Sequence, residues 1–147
     1  MQGRFEISAR GMNSIDPRSN GADQVLQCAV VTDGGRLTTH VLDVALGRPA
    51  SGVAIELVAI GSDGAVTSLA HVVTNADGRT DAPLLAGAAF AAGVYELRFA
   101  VGAYFAAAGD PPFLDVVPVR FGVSDPAAPH HVALLVTPWS YSTYRGS

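Results

Sequence analysis

The chain has 147 residues, 49% of them hydrophobic and 15% charged, with a formal net charge of −4. That length suits one domain with a sizeable core, and the acidic balance gives no electrostatic reason to expect a nucleic-acid or acidic-membrane partner. A mean hydropathy of +0.31 is high for a chain of this size and points either to a core large for the chain or to apolar surface buried between subunits, with an oligomer the favoured expectation. The single cysteine, Cys28, leaves no intrachain disulfide framework and fits a reducing compartment, where a lone cysteine is expected to be a small buried or loop residue rather than a reactive thiol. No apolar run approaches the roughly 18 residues that a membrane span requires. The first residues, MQGRFEISARGMNSIDPRSNG, lack an apolar core and carry acidic side chains, so no secretory leader is expected and the location is expected to be cytoplasmic.

Residues 1–22 are polar and rich in Gly, Ser, Asn and Arg, which predicts a flexible extension running to residue 35. Within it, QVLQCAVV at 24–31 suits a short strand or helical turn, and Gly34-Gly35 resets the chain. The ordered domain is expected to span 36–147. There, short β-rich runs alternate with Gly, Pro, Asn and Asp clusters, the pattern of an all-β sandwich or barrel. Strands are predicted at 36–44, 52–60, 66–74, 81–85, 93–101, 113–122, 130–137 and 140–145. Turns are marked by Gly47-Arg48-Pro49, Ser62-Asp63-Gly64 and Asn75-Ala76-Asp77-Gly78, whose glycines supply positive φ. The alanine-rich VGAYFAAAG at 101–109 breaks this rhythm and predicts one short helix, stopped by Gly109 and Asp110-Pro111-Pro112. The architecture expected is eight strands and one short helix.

Four histidines could carry chemistry. His71, between Ala70 and Val72, fits a partly exposed strand position. His130 and His131 are adjacent on one strand, so period-two alternation sends them to opposite faces and they cannot form one cluster. His40 shares a face with Thr38, Leu42 and Val44, while Thr39, Val41 and Asp43 take the other. Histidine titrates near neutrality and is the usual proton-transfer group, which makes His40 and His131 the candidates, although their spacing alone forms no local signature. The chain has no H-E-x-x-H, C-x-x-C, G-x-S-x-G or phosphate-binding glycine loop, and nothing in the spacing argues for a zinc site. Arg79 directly follows a turn, where solvation is the ordinary expectation. The final SYSTYRGS alternates Tyr141, Thr143 and Arg145 against Ser142, Tyr144 and Gly146, as a strand would.

Four segments carry a resemblance: LTTHVLDVALGRPASGVAIEL at 37–57, TNADGRTDAPLL at 74–85, PPFLDVVPVRFGV at 111–123 and HHVALLVTPWSYSTYRGS at 130–147. In order and spacing they resemble the 5-hydroxyisourate hydrolases, also called transthyretin-related proteins, and the terminal Tyr144-Arg145-Gly146-Ser147 is the most specific mark. Many relatives read His-Tyr-His-Val-Pro where this chain has Pro129-His130-His131-Val132-Ala133. The resemblance implies a transthyretin-like (prealbumin-like) sandwich, a homotetramer with a channel between subunits, and cofactor-free hydrolysis of 5-hydroxyisourate in urate degradation. It also implies site residues: His40, Arg79, His131 and Ser147 as catalytic groups, with His40, Arg79 and Tyr144, Arg145, Gly146 and Ser147 binding substrate. In that reading one histidine, with His131 preferred, is the general base, Arg79 holds the ring oxygens or the developing anion, Tyr144 narrows the channel, and the hydroxyl or free carboxylate of Ser147 anchors water or substrate. Two alternatives stand beside it. One is a transthyretin-like carrier of a small aromatic ligand, which Tyr144 and Arg145 would crowd; the other is a β-sandwich interaction module.

Overall fold

The computed structural model describes residues 34–109 and 113–147; the expected strand or turn at 24–31, Cys28 and the Asp110-Pro111-Pro112 stop lie outside them. Alternation sets the fold. In β1 (Arg36–Asp43), Leu37, Thr39, Val41 and Asp43 are buried, while Thr38, His40 and Leu42 are half-buried on the opposite face. A strand with this two-residue period has one side committed to a core.

Among the described residues there are nine strands in two sheets. The first sheet runs β2 (Arg48–Pro49), β1, β8 (His130–Val136), β9 (Tyr141–Gly146), with β5 (Leu85–Ala86) also pairing with β1. The second runs β4 (Val66–Val73), β3 (Ala54–Ile60), β6 (Gly93–Phe99), β7 (Val117–Val123). Every pairing is antiparallel except β1 with β8, which is parallel. The inner faces supply one core, including Leu37, Val41, Leu57, Leu97, Phe99 and Leu134, each fully buried. Helix α1 (Val101–Ala107) buries Val101 and Phe105 in that core. Gly109, at φ 91°, follows it. Tyr104 donates a 2.9 Å hydrogen bond to Asp43 Oδ2 at the end of β1, and Asp43 Oδ1 accepts from the backbone N–H groups of Ala45 and Leu46. The buried carboxylate is thus satisfied on both oxygens.

Three predicted boundaries need correction. The strand expected at 81–85 is a loop until Leu85: Pro83 has no N–H to give a ladder, Asp81 accepts from Asn75 Nδ2, and Thr80 bonds to the Ala82 carbonyl. The strand expected at 113–122 begins only at Val117, because the Leu114 N–H donates to Pro138 and the Asp115 carbonyl accepts from Gly102. Arg48-Pro49, expected as a turn, folds back as a two-residue strand on Leu42 and Asp43. The expected count of eight strands therefore becomes seven of full length plus the two short pieces β2 and β5.

Candidate active site

Register assembles a site on the outer face of the first sheet. The parallel ladder sets Thr38 beside His131 and His40 beside Ala133. The β8–β9 ladder sets His131 beside Gly146 and Ala133 beside Tyr144. A single antiparallel bridge sets His40 beside Arg79. Directly paired residues share a face, so one row reads Arg79, His40, Ala133, Tyr144 and the next reads Thr38, His131, Gly146. Two histidines ninety-one positions apart by number become diagonal neighbours, and His130, one residue from His131, goes to the core, as alternation requires.

The segment after β4 is built to deliver Arg79. The Asn75 side-chain oxygen accepts from the backbone N–H groups of Asp77 and Arg79, at 3.0 and 3.2 Å. Gly78 closes the turn with φ 69°, and its carbonyl accepts from the Val41 N–H at 2.8 Å. A Cβ here would run into the Val41 carbonyl oxygen and approach Pro49 Cβ to 3.1 Å. Glycine is needed both for the left-handed backbone and for the close approach to β1.

The two imidazoles differ in access. His131 Nδ1 is 2.8 Å from the Thr38 hydroxyl. Among the described residues its Nε2 has no hydrogen-bond partner, yet the one buried side-chain polar atom without a hydrogen bond there is His40 Nε2. His131 therefore keeps an accessible ring nitrogen and His40 does not. Both pKa values lie below the usual histidine value. For His131, burial is the larger cause, followed by the positive charges of Arg79 and His40. For His40, burial again leads and Arg79 follows, opposed by the backbone and charge of Asp77. Both shifts favour the neutral imidazole, the form that can accept a proton.

An open cleft of about 490 Å³ lies over this face, with Arg36, Thr38, Arg79, Asp81, His131 and Ser147 among its walls. Of the residues expected from sequence, His131, Arg79 and Ser147 line it together. His40 adjoins Arg79 beneath the surface, and Gly146 presses against the His131 ring. Tyr144, on the same face but 55% exposed, lines a separate cleft of about 200 Å³ together with Arg145 and Arg120. Arg145 is not brought to the first cleft. Paired with Val132, it points off the other face of β9, where its guanidinium reaches the Pro129 carbonyl at 3.5 Å.

Thr38, Arg36 and Asp81 were not singled out from the sequence. Thr38 and Arg36 share the parity of His40 on β1, a signal that was available; Asp81 sits in a loop whose course has no such periodicity. His71 takes its bland place, exposed on β4 near Glu56 and Ser68. His130 packs edge-on against Phe90, and its Nδ1 lies 3.0 Å from the Ala128 carbonyl. Among the described residues no three His, Cys, Asp or Glu side chains converge as a metal site would require.

Two facing sheets with one parallel pair, and an outer-face cleft where His131 and Arg79 meet above His40, define a transthyretin-type β-sandwich with an ionisable surface site. The model of the HIUase/Transthyretin family matches residues 37–146, and the chain belongs to that family. It is 59% identical to a 5-hydroxyisourate hydrolase of Ralstonia nicotianae over 117 residues, covering 77% of this chain and 99% of that protein. The structure of the Klebsiella pneumoniae 5-hydroxyisourate hydrolase superposes with a TM-score of 0.67 at 37% identity, covering 77% of this chain and 99% of that one. A crystal structure of (S)-allantoin synthase matches with a TM-score of 0.73 at 44% identity; 80% of this chain corresponds to 45% of that longer one.

Proposed function

We propose that this chain hydrolyses 5-hydroxyisourate, the activity for which its relatives are named, to give 2-oxo-4-hydroxy-4-carboxy-5-ureidoimidazoline. The observation that carries this reading is the open Nε2 of a neutral His131 in a cleft shared with the Arg79 guanidinium. Opening a cyclic amide needs a base for water, charge stabilisation on the carbonyl oxygen and a proton for the leaving nitrogen. His131 Nε2 takes a proton as the water oxygen bonds to the carbonyl carbon. Arg79 meets the oxyanion with its planar fork of donors. The C–N bond then breaks, and the proton held on His131 passes to the ring nitrogen, leaving a carboxyl group and an N–H. The Ser147 hydroxyl, on the cleft wall, orients water or substrate. His40 has its free ring nitrogen closed off within the protomer, so its role is to position Arg79. No step requires a cofactor.

The reading includes a cytoplasmic homotetramer in which this outer face lines a channel against a second protomer. Light scattering tests the assembly directly, with an expected mass of four times the 15.1 kDa chain. Neither the carrier alternative nor the interaction module is favoured by an observation of its own. The deciding experiment generates 5-hydroxyisourate in situ by urate oxidation and follows its ultraviolet decay. Accelerated decay supports the proposal, and decay at the protein-free rate refutes it.

A further inference from the structure

The His131 ring is gripped on two sides, by Thr38, which had no expected part in the reaction, and by Gly146. On one side the Thr38 hydroxyl, half-buried on β1, sits 2.8 Å from Nδ1 and makes no other hydrogen bond among the described residues. On the other side Gly146 of β9 lies flat against the ring edge: a Cβ there would come within 2.5 Å of His131 Cδ2 and 3.3 Å of Cγ. Both are ring atoms, and 2.5 Å is closer than a Cβ sits to a neighbouring carbon. The two gripping residues are the direct ladder partners of His131, one on each neighbouring strand.

We propose that Thr38 is a positioning residue that accepts a hydrogen bond from His131 Nδ1–H and so fixes the tautomer whose Nε2 lone pair faces the cleft, while the bare backbone of Gly146 fixes the ring plane. This rests on the hydrolase reading of the same site. A hydroxyl suits the task because it is a neutral acceptor: it can take Nδ1–H both from the imidazole and from the imidazolium formed when Nε2 takes a proton. The imidazolium is the stronger donor, so the same bond lowers the cost of that proton transfer. A carboxylate in this place would drive the ring towards permanent protonation, against the direction set by its surroundings. Those surroundings are His40 on β1, Arg79 and Asp81 from the segment after β4, and Arg36 at the cleft mouth. Gly146 thereby has a mechanical role at the ring.

The test compares wild-type protein with T38S and T38V, reading kcat/KM for 5-hydroxyisourate across pH and the imidazole nitrogen shifts of His131 by NMR. T38V is expected to lose about tenfold in kcat/KM, the equivalent of one hydrogen bond to a charged group, and T38S to stay within about twofold. The acid limb of the T38V profile moves to lower pH, because the imidazolium has lost an acceptor, a change that a purely structural role for Thr38 would not produce. In the wild-type spectrum Nδ1 carries the proton at neutral pH; in T38V both tautomers are populated. A wild-type Nδ1 without its proton, or a T38V enzyme with unchanged kcat/KM and acid limb, overturns the proposal. Should T38V fail to fold, the wild-type nitrogen shifts and the T38S rate still decide it. Should the wild-type protein leave 5-hydroxyisourate untouched, the hydrolase reading fails, while the nitrogen shifts still decide the Thr38 assignment.

Discussion

Replacing Gly78 with alanine tests whether the Asn75–Gly78 turn is what delivers Arg79 to the site, and Gly64 supplies the control. Both glycines have left-handed backbones, at φ 69° and 83°, so alanine at either costs about 1–2 kcal/mol of conformational strain. At Gly64, in the β3–β4 connection, nothing lies within 4 Å of an added Cβ, and the cost stops there. At Gly78 the Cβ collides with the Val41 carbonyl oxygen and crowds the Ala50 nitrogen at 3.2 Å. Relief requires loosening the Val41 N–H to Gly78 bond, the Ala50 N–H to Val41 bond, or both. A lost buried hydrogen bond costs about 1–3 kcal/mol, so the total for Gly78→Ala comes to roughly 2–5 kcal/mol. At about 4 °C per kcal/mol for a domain of this size, the melting midpoint falls by roughly 8–20 °C in G78A and roughly 4–8 °C in G64A. Thermal melts and 5-hydroxyisourate turnover are measured on both. G64A keeps wild-type kcat/KM, whereas G78A, assayed well below its midpoint, loses activity as the His40–Arg79 bridge moves. Equal melting shifts with full activity in both variants would refute the reasoning.

His131→Asn removes the proposed base while retaining a hydrogen-bonding side chain, and kcat should fall about 100-fold or more; near-normal turnover would reject the assignment. Arg79→Ala removes a positive charge that depresses both histidines, so both pKa values rise and the acid limb of the pH–rate profile moves to higher pH, together with a raised KM. An unchanged KM and an unmoved limb would take Arg79 out of the site. Tyr104→Phe leaves Asp43 Oδ2 without its donor on a carboxylate that is 1% exposed, costing about 1–3 kcal/mol in denaturant unfolding; a midpoint equal to that of wild type would show that water replaces the phenol.

Much of the architecture was legible because its signals are periodic. The alternation in RLTTHVLD separates Leu37, Thr39, Val41 and Asp43 from Thr38 and His40, and both faces of β1 follow it. The same rule put His130 and His131 on opposite faces, and the structure turns His130 to the core. What periodicity cannot supply is register across strands. That His131 meets Thr38 on one side and Gly146 on the other, or that Arg79 bridges to His40, depends on which strands pair and how far each is slid. The stretch before β5 was misread because Leu84 and Leu85 look strand-like, whereas Pro83 and the side-chain bonds of Asp81 and Thr80 keep it out of a ladder. Alternation in SYSTYRGS set Arg145 on the face opposite Tyr144, and only the resemblance grouped the two as substrate-binding.

The outer face of the second sheet also lay hidden in the sequence. There Glu96, nearly buried, binds Arg98 at 2.8 Å and Arg120 at 2.9 Å, and Arg98 reaches Glu56 at 3.4 Å. These residues are scattered along three strands and come together only through the β3–β6 and β6–β7 ladders. The guanidiniums hold the Glu96 carboxyl below the usual range, Arg98 most strongly, against the opposing effect of burial. Its contribution to stability is therefore present above the unfolded carboxylate pKa and is lost as pH falls through the lowered one. The charges on this face are paired with one another, whereas those over the first sheet converge on an open cleft.

That contrast makes a soaked crystal the most direct test of where chemistry happens. Urate, a planar relative of the substrate that the site does not consume, should bind with its ring within hydrogen-bond distance of His131 Nε2 and its oxygens on the Arg79 guanidinium. Difference density confined to the groove by Glu56, His71 and Arg98 on the other sheet, with the His131 cleft empty at saturating urate, would contradict the assignment.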